Sequence, residues 1–246
     1  MRFQSSSLDG RKPYPIRRSV SESRFETSNF TVEKRILGVL GGQDVDDRVF
    51  KFWAQSSDIL VAADAGADLA LRHRVAPNAI VGDLDSVSPE ALTSGADIYK
   101  FDDENTTDCD KLLAWVWSQG YRAITLIGVE GDRLDHVLST LSSCARSPLK
   151  IQLVLRDGVG LILKPGEHVL TGVPGQRISM LPIGVAGAFS AEGVRWPLHE
   201  TDFSLDRSLS VSNEFATHQA TLRFSSGVLL AIIESPNRDP LDILNS

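Results

Sequence analysis

Between positions 36 and 145 the apolar residues fall into two kinds of run that take turns along the chain. Ile36-Leu37-Gly38-Val39-Leu40, Ile59-Leu60-Val61-Ala62-Ala63, Ala79-Ile80-Val81 and Ala123 to Ile127 are short and unbroken, the pattern of strands buried on both faces. Ile98-Tyr99-Lys100-Phe101 reads as a further strand. Between them the spacing turns helical. Asp46 to Gln55 puts Val49, Phe50 and Trp53 on one face, and Thr107 to Ser118 carries Leu112, Leu113, Val116 and Trp117 behind a threonine suited to an N-cap. Ala67 to His73 and Leu134 to Ala145 are also helical, and Ser88-Pro89-Glu90 opens a short helix with a cap residue followed by proline. Strands and helices alternating in this way predict a doubly wound, mainly parallel sheet with helices on both faces.

Near residue 150 the pattern changes. Ile151 to Leu155, Gly160 to Leu163, His168 to Leu170, Ile178 to Leu181, Gly187 to Ala191, Leu209 to Ser212, Ala220 to Phe224 and Val228 to Ile233 are β-like runs with no helix between them. They predict a C-terminal all-β sandwich. The fold class is therefore α/β followed by all-β. The expected organisation is an N-terminal extension over 1–34, an α/β domain over 35–150, a β-sandwich domain over 151–240 and a tail over 241–246.

Composition narrows the function classes. The chain has 246 residues, 42% of them hydrophobic, and no apolar run long enough for a membrane helix. Cys109 and Cys144, the two cysteines, have no zinc-ligand spacing around them; they read as core residues of a protein in a reducing compartment, the cytoplasm. Residues 1–35 hold eight Lys/Arg against four Asp/Glu, so the net charge of −7 leaves −11 on the remainder. An acidic body of this kind excludes a nucleic-acid surface. The extension lacks the apolar segment of a secretory signal, and Asp9, Glu22 and Glu26 count against an organelle transit peptide despite its Arg/Ser bias.

Polar clusters follow the strands directly: Gly41-Gly42-Gln43, Asp64, Asp83-Leu84-Asp85 and Gly128 to Asp132. Parallel sheets bind ligands beyond the carboxyl ends of their strands. Asp83 and Asp85, one residue apart on a turn, can face one hard cation, although aspartates after strands also serve as turn and cap residues. Thr107 and Asp108 open a helix whose N-terminus can receive phosphate, and Lys111 lies one turn further on; a simple capping arrangement is the other reading. Arg133 can fork onto phosphate oxygens with Asp135 orienting it, or the two can pair to stabilise the helix start beside His136. Phosphoryl transfer needs metal, positive charge and alignment, and the clusters together offer all three.

Taken in order, these segments resemble the thiamine pyrophosphokinase family. The matching stretches are Ala63-Asp64-Ala65-Gly66-Ala67, Gly82-Asp83-Leu84-Asp85-Ser86, Thr107-Asp108 with Lys111, and Asp132-Arg133-Leu134-Asp135-His136. Gly193-Val194-Arg195-Trp196-Pro197-Leu198 and Ser210-Val211-Ser212-Asn213 follow in the β-domain. Ala65, Asp68, Asn105 and Asp132 depart from the family's pattern. The resemblance implies a kinase that moves the diphosphoryl group of ATP to thiamine, giving thiamine diphosphate and AMP. It implies Mg²⁺ on Asp83, Asp85 and Asp108, phosphate charge neutralised by Lys111 and Arg133 with support from Asp135, and nucleotide contacts at Gly42, Gln43, Asp64, Thr107, Arg133 and His136. Ser210, Ser212 and Asn213 would line the thiamine side. For Trp196, thiamine contact and a buried anchor of the β-domain are both open. The resemblance further implies a homodimer with the active site between subunits. The rival readings are a metal-dependent phosphohydrolase or other nucleotide-using transferase, and a non-catalytic thiamine-binding regulator.

Overall fold

The computed structural model describes residues 34–42, 45–131 and 133–235. Expectations placed on residues 1–33, Gln43, Asp132 and the tail fall outside these. Strands β1 (Ile36–Val39), β2 (Ile59–Ala63), β3 (Ala79–Gly82), β4 (Asp97–Lys100) and β5 (Ala123–Ile127) alternate with helices α1 (Asp47–Gln55), α2 (Gly66–Arg72), α3 (Pro89–Leu92), α4 (Asp108–Ser118) and α5 (Leu134–Arg146). The strands pair in parallel in the order β5-β1-β2-β3-β4.

Their unbroken apolar runs are used on both sides. Leu37, Val39, Leu60, Ala62 and Ile80 pack with Val49, Phe50 and Trp53 of α1 and with Leu69 of α2. The alternate residues Ile36, Val61, Ala63, Val81 and Leu126 pack with Leu112, Leu113 and Val116 of α4, as the two-residue period of a strand requires. Cys109 and Cys144 are buried and free in this second core. The N-cap at Thr107 forms a full capping box: its hydroxyl accepts from the Asp110 N–H at 3.1 Å and its own N–H donates to the Asp110 carboxylate at 3.2 Å. No helix among the described residues is long and apolar enough to cross a membrane.

The sheet continues past residue 150. Strand β6 (Lys150–Leu155) joins β5 in parallel, and β7 (Gly158–Leu163) then reverses direction against β6. Strands β14 (Leu229–Glu234), β9 (Arg177–Pro182) and β12 (Ser210–Glu214) extend it, giving a ten-stranded sheet in the order β12-β9-β14-β7-β6-β5-β1-β2-β3-β4. Four further strands form a second sheet, β11-β10-β13-β8, from β8 (Gly166–Thr171), β10 (Val185–Glu192), β11 (Leu198–Ser204) and β13 (Gln219–Phe224).

The fold is thus a mixed sheet with helices leading into a β-sandwich, whose layers share a core of Ile178, Met180, Phe189, Phe203, Phe215, Leu222 and Leu229. One layer of the sandwich is the continuation of the parallel sheet. Strand β11 has no counterpart in the sequence-based reading. It is an edge strand written Leu-His-Glu-Thr-Asp-Phe-Ser, with burial confined to Phe203 and Ser204 and register shifts against β10, so it shows no clean alternation.

Phe189 is fully buried and stacks on Phe203 with ring centroids 4.5 Å apart. Phe189→Ala is expected to lower unfolding free energy by about 3–5 kcal/mol in urea titration; a loss under about 1 kcal/mol would contradict this packing.

Candidate active site

Close backbone approaches shape the rim at the carboxyl ends of the parallel strands. The Gly42 N–H donates to Gly128 O at 2.9 Å, and a Cβ at Gly42 would collide with the carbonyls of Gly128 and Glu130. At Gly82 a Cβ would lie 3.1 Å from both Cβ and Oδ1 of Asp64. Glycine there lets the end of β3 stand directly beside Asp64. Asp64 itself takes the left-handed backbone conformation, φ 44°, and Leu84 does so at φ 70°. Both are turns that L residues enter at a cost.

Asp64, Asp83 and Asp108 come from the ends of β2 and β3 and from the first turn of α4. Each offers a carboxylate oxygen, and these atoms lie within 4.8 Å of one another. Lys111, its side chain 3% exposed, reaches into the cluster and donates to Asp83 Oδ2 at 2.6 Å and to Asp108 Oδ1 at 3.3 Å. Asp64 is buried, and its Oδ1 has no hydrogen-bond partner among the described residues.

Burial, reinforced by the charges of Asp108, Asp83 and Asp85, pushes the Asp64 carboxyl up to about 6. Burial also raises Asp108, against the pull of Lys111. The Lys111 hydrogen bond holds Asp83 below the usual carboxylate range. Lys111 stays above its ordinary value: burial works against its charge, and its bonds to Asp83 and Asp108 outweigh that. Three converging carboxylates with an unpartnered buried oxygen form an oxygen-only donor set suited to a hard divalent cation.

The other site residues expected from sequence are placed as follows. Asp85 is exposed and accepts from Ser86 Oγ at 2.8 Å, outside the three-carboxylate group, in which Asp64 joins Asp83 and Asp108. Thr107 is committed to capping, with its hydroxyl 3.0 Å from Asp110 Oδ2 and 3.2 Å from Ser143 Oγ. Arg133 makes a two-pronged pair with Asp135, at 3.1 and 2.7 Å, on the exposed first turn of α5 beside His136. Asp68, one of the departures from the family pattern, accepts from the Ser88 N–H at 3.1 Å. An asparagine oxygen would do the same, so the departure preserves a tie that steadies the loop carrying Asp83.

In the sandwich, Asn213 is buried and turned inward. Its Oδ1 accepts from Trp196 N and Glu214 N, and its Nδ2 donates to Trp196 O and Ser210 Oγ. All four hydrogen-bonding positions of the amide are filled, so Asn213 fixes the Trp196 segment and has no position left for a ligand. Trp196 is 53% exposed, with the Arg195 guanidinium 4.8 Å from its ring, which corrects the reading of a buried anchor. Ser212 takes φ 56° and lines a cavity of about 220 Å³ with Glu130, Asp157 and Glu234. Six strands stand between β12 and β2 in the sheet, a separation on the order of 30 Å along the sheet.

A parallel-sheet rim with clustered carboxylates and a buried lysine, joined to a β-sandwich, has the parts that a phosphoryl-transfer enzyme needs. A model of the thiamin pyrophosphokinase catalytic domain matches residues 50–155, and one of the vitamin B1 binding domain of that enzyme matches residues 167–229. The chain belongs to the thiamine pyrophosphokinase family. It is 25% identical over 183 residues to thiamine pyrophosphokinase of Bacillus subtilis, covering 70% of this chain and 85% of that protein. It is 24% identical over 204 residues to thiamin pyrophosphokinase 1 of Caenorhabditis elegans, covering 76% and 84%. The crystal structure of thiamin pyrophosphokinase from Geobacillus thermodenitrificans matches with a TM-score of 0.67 at 26% identity, over 81% of this chain and 97% of that one.

The folded chain holds the Asp64 proton up to about pH 6, whereas an unfolded aspartate loses it near 3.8. Folding takes up a proton between these values, so this group makes stability fall as pH rises through that window. With a chelator present, Asp64→Asn is expected to be more stable than the parent by on the order of 2 kcal/mol near pH 7, with no gain near pH 4. Urea unfolding at the two pH values measures this, and an equal effect at both would refute the raised carboxyl.

Proposed function

We propose that this chain transfers the diphosphoryl group of ATP to the hydroxyethyl oxygen of thiamine, giving thiamine diphosphate and AMP. The observation that carries this reading is the clustering of Asp64, Asp83 and Asp108, with the buried Lys111 bonded to Asp83 and Asp108, in a chain of this family. Asp64, Asp83 and Asp108 would hold Mg²⁺, which when bound supplies Lewis-acid stabilisation of phosphate charge.

In the reaction the thiamine oxygen forms a bond to the β-phosphorus. The bond from that phosphorus to the oxygen bridging to the α-phosphate breaks, and AMP leaves with the electron pair. Lys111, already buried with two carboxylates, is the chain's own cation for the charge that develops on the phosphates. Asp135 holds the Arg133 guanidinium by both prongs and orients it for the nucleotide. Asp83 or Asp108 would accept the hydroxyl proton late in the step. Thiamine would lie against Trp196, Ser210 and Ser212, and the acids beside Ser212 suit its cationic thiazolium ring.

Six strands of the sheet stand between β12, which carries Ser210 and Ser212, and β2, which leads into Asp64. We therefore propose a homodimer in which each site combines the aspartates of one chain with the sandwich of its partner. The free thiols of Cys109 and Cys144 accord with a cytoplasmic setting.

AMP formation from ATP and Mg²⁺ is expected to depend strictly on thiamine, with thiamine diphosphate formed in equal amount. Asp83→Asn should abolish turnover while leaving urea unfolding cooperative. Phosphate release without thiamine, or full activity in Asp83→Asn, would overturn the assignment. A mixture of inactive Asp83→Asn with an inactive Trp196→Ala/Ser210→Ala chain should recover up to about a quarter of parental activity through mixed dimers; no recovery after subunit exchange would rule out the shared site.

A further inference from the structure

The amino ends of β1, β5 and β6 carry a second site, at the opposite end of the strands from the carboxylates and separated from them by the length of β5, roughly 16 Å. A groove of about 670 Å³ opens there. Strand alternation puts Thr125 on the same face as Ile127, and Gln152 on the same face as Val154, the face that α1 and α2 cover elsewhere. Thr125 and Gln152 are register partners, and Gln152 is in turn the partner of Leu161. Thr125 and Gln152 are half-buried, and their side chains make no hydrogen bond with a described residue. The sheet face thus presents two adjacent polar groups with unused hydrogen-bonding capacity next to the apolar Leu161 and Leu163.

The charge lining this groove is one-sided. Lys34, Arg35, Lys150, Lys164 and His168 line it, with no carboxylate among the described lining residues, in a chain whose net charge is −7. Ala123 pairs with Lys150 on β6. The register that pairs Leu37 with Thr125 puts Arg35 on its other side. A small residue therefore lies between two cationic residues whose backbones are each about one strand spacing away, roughly 5 Å.

The cations differ in what already occupies them. Arg35 has an exposed pair with Asp58 at 3.6 Å through Nε, and Asp58 also feels the charge of Lys34. Lys164 donates to the Ala145 carbonyl at the end of α5, and burial lowers its pKa. Lys150 is exposed and has no ion-pair partner among the described residues. A cationic notch over Ala123 that opens onto polar and then apolar floor is complementary to a molecule with an anionic head, a hydrogen-bonding middle and an apolar body.

We infer that this groove binds a small organic anion, its carboxylate or phosphate head over Ala123 between Arg35 and Lys150 and its body along Thr125, Gln152 and Leu161. The full chain, with a chelator present and no nucleotide, would be titrated calorimetrically with 2-naphthoate, 2-naphthyl phosphate and the neutral 2-naphthamide. Saturable binding of an anionic probe, one per chain and at least about tenfold tighter than the amide, is expected. Lys150→Glu should weaken that binding by roughly tenfold or more and leave thiamine-dependent AMP formation unchanged. Preference for the phosphate over the carboxylate would assign phosphate as the head group of the same site. Equal binding of the amide, or anion binding indifferent to Lys150→Glu, would overturn the inference. A changed sedimentation coefficient in Lys150→Glu with unchanged probe affinity would overturn it too, because the face would then be a contact between copies of the chain.

Discussion

Three carboxylates with oxygens within 4.8 Å of one another repel strongly, and the candidate site depends on the buried lysine that makes this crowding tolerable. Lys111 enters on α4, so its position depends on how that helix starts. The capping box between Thr107 and Asp110 fixes the first turn, and Arg146 of α5 pairs with Asp110 at 2.8 Å from outside. From that start Asp108 and Lys111, three residues apart, present one face to the end of β3. Asp83 comes to meet them because Gly82 allows β3 to run beside Asp64. Loss of any one of these local arrangements would leave a partly buried carboxylate or ammonium without its partner, which costs more than the pair contributes.

The compensation is incomplete, and this gives the site its chemistry. Lys111 is bonded to two of the three aspartates, and Asp64 keeps an oxygen with no partner among the described residues. Its carboxyl is raised to about 6, so at neutral pH the site carries excess negative charge in a poorly solvated place. A divalent cation relieves that excess; a nucleotide alone would add to it. Phosphate and metal, bound here as proposed, would therefore be coupled by electrostatics.

Much of this was legible in the sequence. The alternation of apolar runs with helical periodicity fixes the strands β1 to β5 and the helices between them, because buried parallel strands have a strong one-dimensional pattern. Thr107 as a cap and Ser88-Pro89 as a helix start follow from local chemistry alone. Partners distant in sequence were not legible. The bond from Lys111 to Asp83 spans 28 residues, and spacing alone pairs Asp83 with Asp85, whereas the turn at Leu84 leaves Asp85 in solvent. Asn213 reads as a ligand-facing polar residue, but its four internal hydrogen bonds are a tertiary fact with no local signal. Strand β11 is hidden for another reason: an edge strand buried at one end carries little alternation.

The ten-stranded sheet connects these observations. Because β14, β7 and β6 carry the parallel sheet without a break into the sandwich, the sandwich cannot hinge freely against the aspartates, and the distance from β12 to β2 is set by strand spacing. Six strands of that sheet stand between β12 and β2, and under the proposed dimer each chain's sandwich would serve its partner's carboxylates. The continuous sheet would then hold that sandwich in a fixed geometry, since the rotation that places one sandwich places the other. On this view the continuity of the sheet gives each half-site a fixed position that a partner chain can match.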